Sequence, residues 1–385
     1  MTAGPASSVV TEEERLARVT LNRVVEPGHP GLLHRVATRG AVTVLRELSA
    51  GARIPEAADL AQRLAEADPT RDLEEGERHG LRFIVPGDRE WPPGLDGLTS
   101  CPELHRRGGV PIGLWLRGCV SLAATVTRAG AVVGARSATS YGENVAGQIG
   151  HGLASAGWTV VSGAAYGIDQ GAHRGALAAG GPTVAVLACG ADKAYPKAHE
   201  RLLDFIAESG VIVSEAPLGG APTRIRFLAR NRLIAALAAG TVVVEAAVRS
   251  GALNTASWTA GLGRVLMGVP GPVTSEPSSG VHQLIRERGA ILVTRPEEVL
   301  EALAPVGEET LFPLRAETTA RDRLTDLERQ VLDAVPVHSA AGEENIGRVA
   351  GVSPSTVGRA LKQLERVELI ERLGGRWRLR RQADD

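Results

Sequence analysis

The part of the chain that most restricts its possible folds is residues 131–187, where three short apolar runs alternate with two helical patterns. Each of the first two runs is followed by a glycine-containing turn, GARS at 134–137 and SGAAYG at 162–167. After the first turn, apolar residues such as Ile149 and Leu153 recur every four residues, as on one face of a helix. This alternation predicts an α/β fold built on a parallel sheet.

The same alternation continues towards the C-terminus, where four more apolar runs are separated by helical patterns. Uninterrupted apolar runs are expected when helices cover both faces of a sheet. The additional strands are predicted at 211–213, 241–244, 265–267 and 291–293, and the helices at 199–208, 226–238, 252–261 and 281–288.

Composition excludes several classes of protein. The formal net charge is −1, so nucleic-acid binding would need a local basic patch. Three widely spaced cysteines suit neither a disulfide framework nor a zinc site, and no His, Cys and carboxylate set has metal-ligand spacing. Neither a signal-peptide core nor a membrane-spanning run is present. We therefore expect a cytoplasmic protein without a metal, a cofactor or a membrane partner.

Breaks in these patterns predict four segments: a helical N-terminal domain at 1–75, an α/β domain at 76–305, a linker at 306–323 and a small domain at 324–385. The linker contains glycine, proline and several acidic residues. Residues 1–10 are expected to be disordered. The N-terminal helices are interpreted as a packing module, and a helix-hairpin-helix module that touches the DNA backbone is the alternative.

The C-terminal segment has the element order of a winged helix. Thr325 is expected to cap a first helix, and Ser353 a later helix whose first residue is proline. A Gly-Gly pair then separates two short strand patterns, which would form the wing. The predicted outer surface carries Thr356, Arg359, Lys362 and Arg376. Neighbouring glutamates dilute the positive charge, so DNA binding and protein binding both stay open.

Candidate binding residues follow the carboxyl ends of predicted strands, where open α/β sheets bind ligands. Backbone N–H groups of the glycine turns and the helix dipoles are expected to attract anions there. The candidate contacts are Gly134, Arg136, Ser137, Ser140, Ser162, Gly163, Gly167, Lys193, Lys197, Arg230, Asn231, Arg232, Ser250 and Gly251. The candidate supporting residues are Asp169, His173, Glu245 and Thr255.

Several of these residues have structural alternatives. Asp169 and His173 are spaced as a helix-stabilising pair. The Arg-Asn-Arg run at 230–232, which is expected to open a helix, could form ion pairs, and Glu245 could hold that turn. For Arg136, which lies among glycine and hydroxyl residues, an anion contact is favoured. No G-x-S-x-G motif surrounds the serines of the turns, so no catalytic residue is assigned.

The ordered set of motifs resembles the DprA family of DNA-processing proteins, also called Smf. The matching segments read VGARSATSYG, VSGAAYGID, CGAD, YP, RNRLI, VEA and SGAL, and they follow in this order within the α/β region. The resemblance implies a Rossmann-like domain, flanked by a small helical domain of the SAM or helix-hairpin-helix type and by a C-terminal winged helix.

The resemblance also implies a function. Family members bind single-stranded DNA without chemistry on it, transfer DNA coated by single-strand DNA-binding protein to the recombinase RecA, and form homodimers. Arg136 resembles the family's arginine at the DNA pocket, and Lys197, with Lys193 as the alternative, resembles its pocket lysine. The chain has few aromatic residues for base stacking, so backbone contacts are expected to dominate. A role in natural transformation and a role in general recombination both stay open.

The main alternative is a nucleotide-binding or nucleotide-hydrolysing enzyme. In Rossmann-like proteins of the lysine-decarboxylase-like family, a strand is followed by a sequence that resembles P-G-G-x-G-T-x-x-E. At the corresponding position this chain reads EAAVRSGALNT, at 245–255. The glycine pair and the spaced glutamate are missing, which favours the DNA-binding interpretation. A nucleotide sensor and a regulator that binds duplex DNA are further alternatives.

Overall fold

The computed structural model describes residues 10–54, 59–304, 320 and 323–380. The chain forms two compact units, Met1–Thr310 and Leu311–Asp385. The expected disorder of residues 1–10 and the expected linker at 306–323 lie outside the described residues, apart from positions 10, 320 and 323.

A nine-stranded sheet forms the centre of the described part of the first unit. Its strands are β1 (Leu81–Ile84), β2 (Leu114–Arg117), β3 (Ala129–Val133), β4 (Thr159–Ser162), β5 (Thr183–Leu187), β6 (Val211–Ser214), β7 (Gly240–Val243), β8 (Val265–Gly268) and β9 (Ile291–Leu292). They lie in the order β1-β2-β6-β5-β4-β3-β7-β8-β9. Strands β3 to β9 are mutually parallel, which confirms the predicted α/β class.

The sheet is mostly parallel, and among the described strands β2 is the exception. Strand β2 pairs antiparallel with both β1 and β6, for example Trp115 with Phe83 and with Ser214. Parallel neighbours need a crossover connection, usually an α-helix. The connection from β1 to β2 holds a 3-10 helix at Pro93–Thr99 instead, and the second strand returns in the opposite direction.

Helices cover both faces of this sheet. Along β3, the side chains of Ala131 and Val133 enter one buried cluster and that of Val132 enters another. Alternate residues of the strand therefore reach opposite cores, which explains the uninterrupted apolar run. The helices of this unit are α1 (Glu12–Val24), α2 (Pro30–Arg39), α3 (Ala41–Ser49), α4 (Leu60–Glu66), α5 (Pro69–Arg78), α6 (Leu122–Thr125), α7 (Ser140–Ser155), α8 (Ile168–Ala178), α9 (Glu200–Ser209), α10 (Arg224–Leu237), α11 (Ala252–Gly261), α12 (Glu276–Arg288) and α13 (Pro296–Leu303).

The first helix packs against the antiparallel end of the sheet. Val19 of α1 is buried with Phe83 and Trp115. The side-chain amide of Asn22 donates to the Glu215 carbonyl at 2.7 Å and accepts from Trp115 Nε1 at 3.1 Å. These contacts join the helical region to the α/β region, and a separate N-terminal domain that ends at residue 75 stays a prediction.

The second unit contains α14 (Asp326–Asp333), α15 (Glu343–Ala350), α16 (Pro354–Arg366) and a hairpin of β10 (Ile370–Leu373) and β11 (Arg376–Leu379). Thr325 and Glu328 form a capping box at the start of α14. Trp377 is buried in the core of this unit, and its backbone pairs with that of Ala341. The elements follow the predicted order, and their assignment as a winged helix stays a prediction.

Candidate nucleic-acid interface

The chain order of the strands produces a crevice beside β3. Strands β4, β5 and β6 extend the sheet on one side of β3, whereas β7, β8 and β9 extend it on the other. Such a reversal separates the loops at the carboxyl ends of the two central strands, and ligands bind there in open α/β sheets. The loops that follow β3 and β7 line a cleft with a volume of about 1020 Å³.

Positive charge dominates this cleft. Among the described residues that line it, Asp169 carries the one carboxylate, whereas five side chains are arginines. The arginines are Arg136, Arg224, Arg230, Arg249 and Arg288. Because the whole chain has a formal net charge of −1, the cleft concentrates a positive potential that the composition does not reveal.

Two of these arginines lie near an aromatic ring inside the cleft. The guanidinium carbon of Arg136 is 4.3 Å from the ring centre of Phe227, and that of Arg230 is 5.8 Å from it. Tyr195 extends the aromatic surface, with 5.9 Å between its ring centre and that of Phe227. A cation–π contact stabilises by ~0.5–1 kcal/mol at exposed sites. It therefore helps to order the exposed side chain of Arg136 within the cleft.

Arg230 is a buried cation that reaches the cleft. Its Nη1 donates to the carbonyl oxygen of Gly163 at 2.7 Å and to that of Val186 at 2.6 Å. Burial lowers the pKa of Arg230 to about 10, so the guanidinium stays charged at neutral pH. Burial also raises the pKa of Asp169, and the positive charge of Arg230 opposes that rise.

Two of the helix ends expected to bind anions already hold carboxylates of the chain itself. At the start of α7, Glu245 accepts from the backbone N–H of Thr139 at 2.9 Å and from its hydroxyl at 2.5 Å. A Cβ on Gly142 would lie 2.3 Å from a carboxylate oxygen of Glu245, so glycine is required there. At the start of α8, Asp169 accepts from the N–H of Ala165 at 3.4 Å. These two helix ends are therefore filled from within.

The start of α11, by contrast, has no acidic residue in its first turn. Ser250 and Gly251 precede this helix and line the cleft, and the Ser250 hydroxyl accepts from the N–H of Ala252 at 3.3 Å. Asn231 of α10 donates to the Gly251 carbonyl at 3.3 Å and to Asn254 Oδ1 at 3.2 Å. These amide hydrogen bonds hold the loop against α10, and the dipole of α11 adds to the positive potential.

The structure brings nine of the predicted site residues to the wall of this cleft. They are Gly134, Arg136, Ser137, Asp169, Arg230, Asn231, Ser250, Gly251 and Thr255. Ser140, Lys193 and Lys197 are exposed but do not line it. Lys193 Nζ donates to the Gly219 carbonyl at 2.7 Å, and Lys197 begins a short 3-10 helix.

Arg232 is not available to a ligand, which corrects its assignment as a DNA contact. Its side chain is fully buried in a bidentate ion pair with Glu215, with both N···O distances at 2.7 Å, and Nε donates to the Gly108 carbonyl. The run at 230–232 also does not open a helix, because the N-cap of α10 is Thr223 and the run lies in the helix interior. The ion-pair alternative is therefore correct for Arg232.

Ser162 and His173 are packing residues rather than ligand contacts. The Ser162 hydroxyl is fully buried and donates to the Val132 carbonyl at 2.6 Å, which corrects its assignment as a DNA contact. His173 Nδ1 lies 2.8 Å from Thr183 Oγ1, so its partner is this threonine rather than Asp169. Burial lowers the pKa of His173 to about 3, and the ring is therefore neutral at physiological pH.

Two glycines of the second turn allow the loops of the site to approach each other. A Cβ on Gly163 would lie 2.0 Å from Arg230 Nη1. Gly167 has a φ of +74°, and a Cβ there would lie 2.4 Å from the carbonyl oxygen of Ala135. Both glycines are buried, so they shape the site through close packing rather than through direct contact with a ligand.

Six polar residues of the described cleft lining were not predicted as contacts, namely His105, Arg224, Arg249, Asn254, Ser257 and Arg288. Arg249 and Asn254 flank the predicted turn at 250–251, so their spacing carried a usable signal. Arg224 begins a helix and Arg288 ends one, and His105 lies in a turn that no predicted strand precedes. Only the tertiary structure brings these three to the cleft.

On the second unit, Arg359, Lys362 and Arg376 are exposed, and Thr356 is half-buried. Across the residues that the structure describes, no group of His, Cys, Asp and Glu side chains is placed to hold a metal ion. The helices of the same residues are too short or too polar to cross a membrane.

Comparison with known proteins identifies relatives that all belong to one family of DNA-processing proteins. Residues 82–304 match the family model of DNA recombination-mediator protein A. A Mycobacterium tuberculosis protein that carries the name DprA is 44% identical over 364 residues, which cover 94% of this chain and 93% of that protein. Protein Smf of Escherichia coli is 40% identical over 232 residues, which cover 60% of this chain and 58% of that protein.

Solved structures agree with these relatives. DNA processing protein A (DprA) of Streptococcus pneumoniae superposes with a TM-score of 0.62 and 28% identity, over 76% of this chain and 98% of that chain. DNA processing protein A of Helicobacter pylori, whose structure was described for its single-stranded DNA binding mode, gives a TM-score of 0.50 and 26% identity, over 58% of this chain and 95% of that chain.

Proposed function

This chain belongs to the DNA recombination-mediator protein A family, and from that premise we propose that it binds single-stranded DNA in the cleft beside β3 and processes DNA for recombination. The relative from Helicobacter pylori, which is described as binding single-stranded DNA, supports the choice of ligand. We propose that the chain does no chemistry on the strand and uses no cofactor.

One observation carries this proposal: the residues described along the cleft include five arginines, a single carboxylate and an aromatic ring. Guanidinium groups bind successive phosphates of a nucleic-acid backbone. The ring of Phe227, extended by Tyr195, offers a face on which an unpaired base can stack. Bases inside a duplex are already stacked on each other, so this arrangement favours a single strand.

Titration of an oligothymidylate at two salt concentrations tests the assignment of the cleft. Each neutralised phosphate contributes about −0.7 to the slope of log affinity against log salt for single strands. Arg136→Ala should therefore weaken binding and make the slope shallower by about 0.7. Lys197→Ala tests the second predicted cation, which lies outside the cleft lining.

Arg128 provides a matched control for Arg136. It immediately precedes β3 at the opposite edge of the sheet, and its guanidinium carbon lies 5.2 Å from the ring centre of Trp158. Arg128→Ala therefore removes a comparable cation–π contact at the other end of β3 without touching the cleft, and it should leave the affinity and the salt slope unchanged. Equal losses of affinity in the two variants, or no loss of affinity in Arg136→Ala, would contradict the proposed site.

We further propose a mediator role, in which a cytoplasmic homodimer transfers DNA coated by single-strand DNA-binding protein to RecA. Recognition through the backbone supports it, because a mediator must accept strands of any sequence. On coated DNA, RecA should begin to hydrolyse ATP sooner with the wild-type protein than with Arg136→Ala, and equal lag times would contradict the role. Release of free base from nucleoside monophosphates would instead favour the enzymatic alternative.

A further inference from the structure

A two-residue turn at the cleft is built from residues that fit its backbone poorly. Leu104 and Arg107 exchange two backbone hydrogen bonds, with N···O distances of 2.9 and 3.0 Å. Between them, His105 and Arg106 both have left-handed φ angles, +52° and +59°. Turns of this kind favour Asn-Gly, because a Cβ crowds the backbone at positive φ.

Burial does not explain why these two residues occupy the turn. Both side chains are exposed, and His105 lines the cleft that contains Arg136. Strained backbone positions of this kind concentrate at functional sites, where the side chain rather than the backbone is needed. The turn is thus a candidate for function in its own right.

A buried ion pair fixes the base of this turn to the core. Arg232 Nε donates to the Gly108 carbonyl at 3.2 Å, while both Nη atoms of Arg232 bind the Glu215 carboxylate at 2.7 Å. The Gly108 N–H donates to the Gly28 carbonyl at 3.1 Å, and the Gly28 N–H donates to Glu215 at 3.3 Å. The buried pair of Arg232 and Glu215 therefore orients the exposed turn at 104–107.

We propose that the turn at 104–107 is a second contact for the DNA strand, in which His105 and Arg106 bind backbone phosphates at the edge of the cleft. This inference rests on the proposed function of the cleft. Histidine and arginine both offer N–H donors to phosphate oxygens, and such contacts position a strand without reading its sequence. Since the turn is already ordered by its own hydrogen bonds and by the ion pair below it, binding restricts little additional backbone.

The double variant His105→Asn/Arg106→Gly separates a role in binding from a role in folding. It removes both side chains and installs the dipeptide that the turn prefers. We expect a melting temperature equal to or above that of the wild type. We also expect weaker binding of an oligothymidylate and a salt slope that is shallower by about 0.7 for the lost arginine. Arg106→Lys alone keeps the cation and should retain the wild-type slope.

Arg136→Ala, measured in the same titrations, distinguishes the two proposals. If Arg136→Ala weakens binding and the turn variant does not, the turn contact is wrong while the function of the cleft stands. If neither variant changes binding, the proposed function itself fails. A turn variant that melts at a lower temperature yet binds normally would show that the two residues serve folding, and this too would overturn the inference.

Discussion

Replacement of Glu245 by glutamine tests how the loop that carries Arg136 is held in place. The Glu245 side chain is 2% exposed, and its carboxylate binds the N–H and the hydroxyl of Thr139. The backbone carbonyl of Glu245 also accepts from the N–H of Ala135 at 2.7 Å. One residue therefore clamps both ends of the segment from 135 to 139.

The expected loss of stability in Glu245→Gln follows from the hydrogen bonds that no longer involve a charged group. A hydrogen bond to a charged group contributes ~1.5–3 kcal/mol, and a neutral one contributes ~0.5–1.5 kcal/mol. Glutamine preserves the shape and can still make two bonds to Thr139, but both become neutral. The negative charge at the N-terminus of α7, which contributes a further ~0.3–1 kcal/mol, is also lost. We expect Glu245→Gln to lower the free energy of unfolding by about 2–4 kcal/mol.

Urea unfolding followed by tryptophan fluorescence measures this loss, since four of the five tryptophans lie in the first unit. Glu276→Gln is the matched control, because Glu276 lies in the first turn of α12 but is exposed. It should change stability by no more than the ~0.3–1 kcal/mol that an exposed charge near a helix N-terminus contributes. A change of that small size in Glu245→Gln would refute the clamp.

The same variant should also bind single-stranded DNA more weakly, because the segment that carries Arg136 becomes less ordered. Glu245 does not line the cleft, so removal of its charge should not open a new anion site. Tighter binding by Glu245→Gln would contradict this and would mean that the carboxylate blocks a phosphate position at α7.

Three other changes test separate parts of the molecule. Arg232→Met leaves the buried Glu215 charge unpaired and should lower the free energy of unfolding by about 3–5 kcal/mol. Adding Glu215→Met should recover most of that loss. Equal stability of the single variant and the wild type, measured by urea unfolding, would contradict the ion pair. His173 has its folded pKa lowered to about 3, so only the unfolded chain protonates it below about pH 6.5. The contribution of His173 to the free energy of unfolding is complete above that pH, and it should fall by up to about 1.4 kcal/mol per pH unit down to about pH 3. His173→Gln should remove this dependence of stability on pH. An unchanged pH dependence in the variant would contradict a buried, neutral His173. Burial raises the pKa of the Cys189 thiol to about 11. A maleimide at neutral pH should therefore label exposed Cys119 first and Cys189 only after denaturation, and early labelling of Cys189, detected by mass spectrometry, would contradict its burial.

The sequence was sufficient for the parts of the fold that depend on local pattern. The apolar run of β3 alternates between two cores, so its character is visible in any short window. The direction of β2 was not visible in this way, because it depends on how residues 85–113 return to the sheet. The short strand-like stretches at 83–85 and 111–118 do not show whether the chain crosses over between them.

The residues of the site were likewise predictable only where their position depends on local sequence. Arg136 and Ser250 lie in the loops that follow β3 and β7, so the topology alone brought them to the cleft. Arg232 lies two positions from Arg230 in the same helix, yet Arg232 forms an ion pair and Arg230 reaches the cleft. The partner that decides this, Glu215, is distant in sequence. A single sequence without long-range information offers no way to distinguish the two arginines.

The carboxylates at two helix ends have a consequence for the way this chain can hold a polyanion. A helix N-terminus would present fixed dipoles that select one phosphate geometry. Because Glu245 and Asp169 occupy the starts of α7 and α8, the proposed site depends on arginine guanidinium groups and on the open start of α11. The buried carboxylates serve instead to fix the loops beneath them. Cations on a rigid base can follow a backbone of any sequence and release it when counterions or another binding protein compete for the phosphates. Affinity should therefore follow the number of phosphates and the salt concentration far more than the identity of the bases. Equal binding of mixed-sequence and oligothymidylate strands of the same length is the direct measure, and a strong preference for one base would mean that the aromatic surface at Phe227, not the arginines, governs recognition.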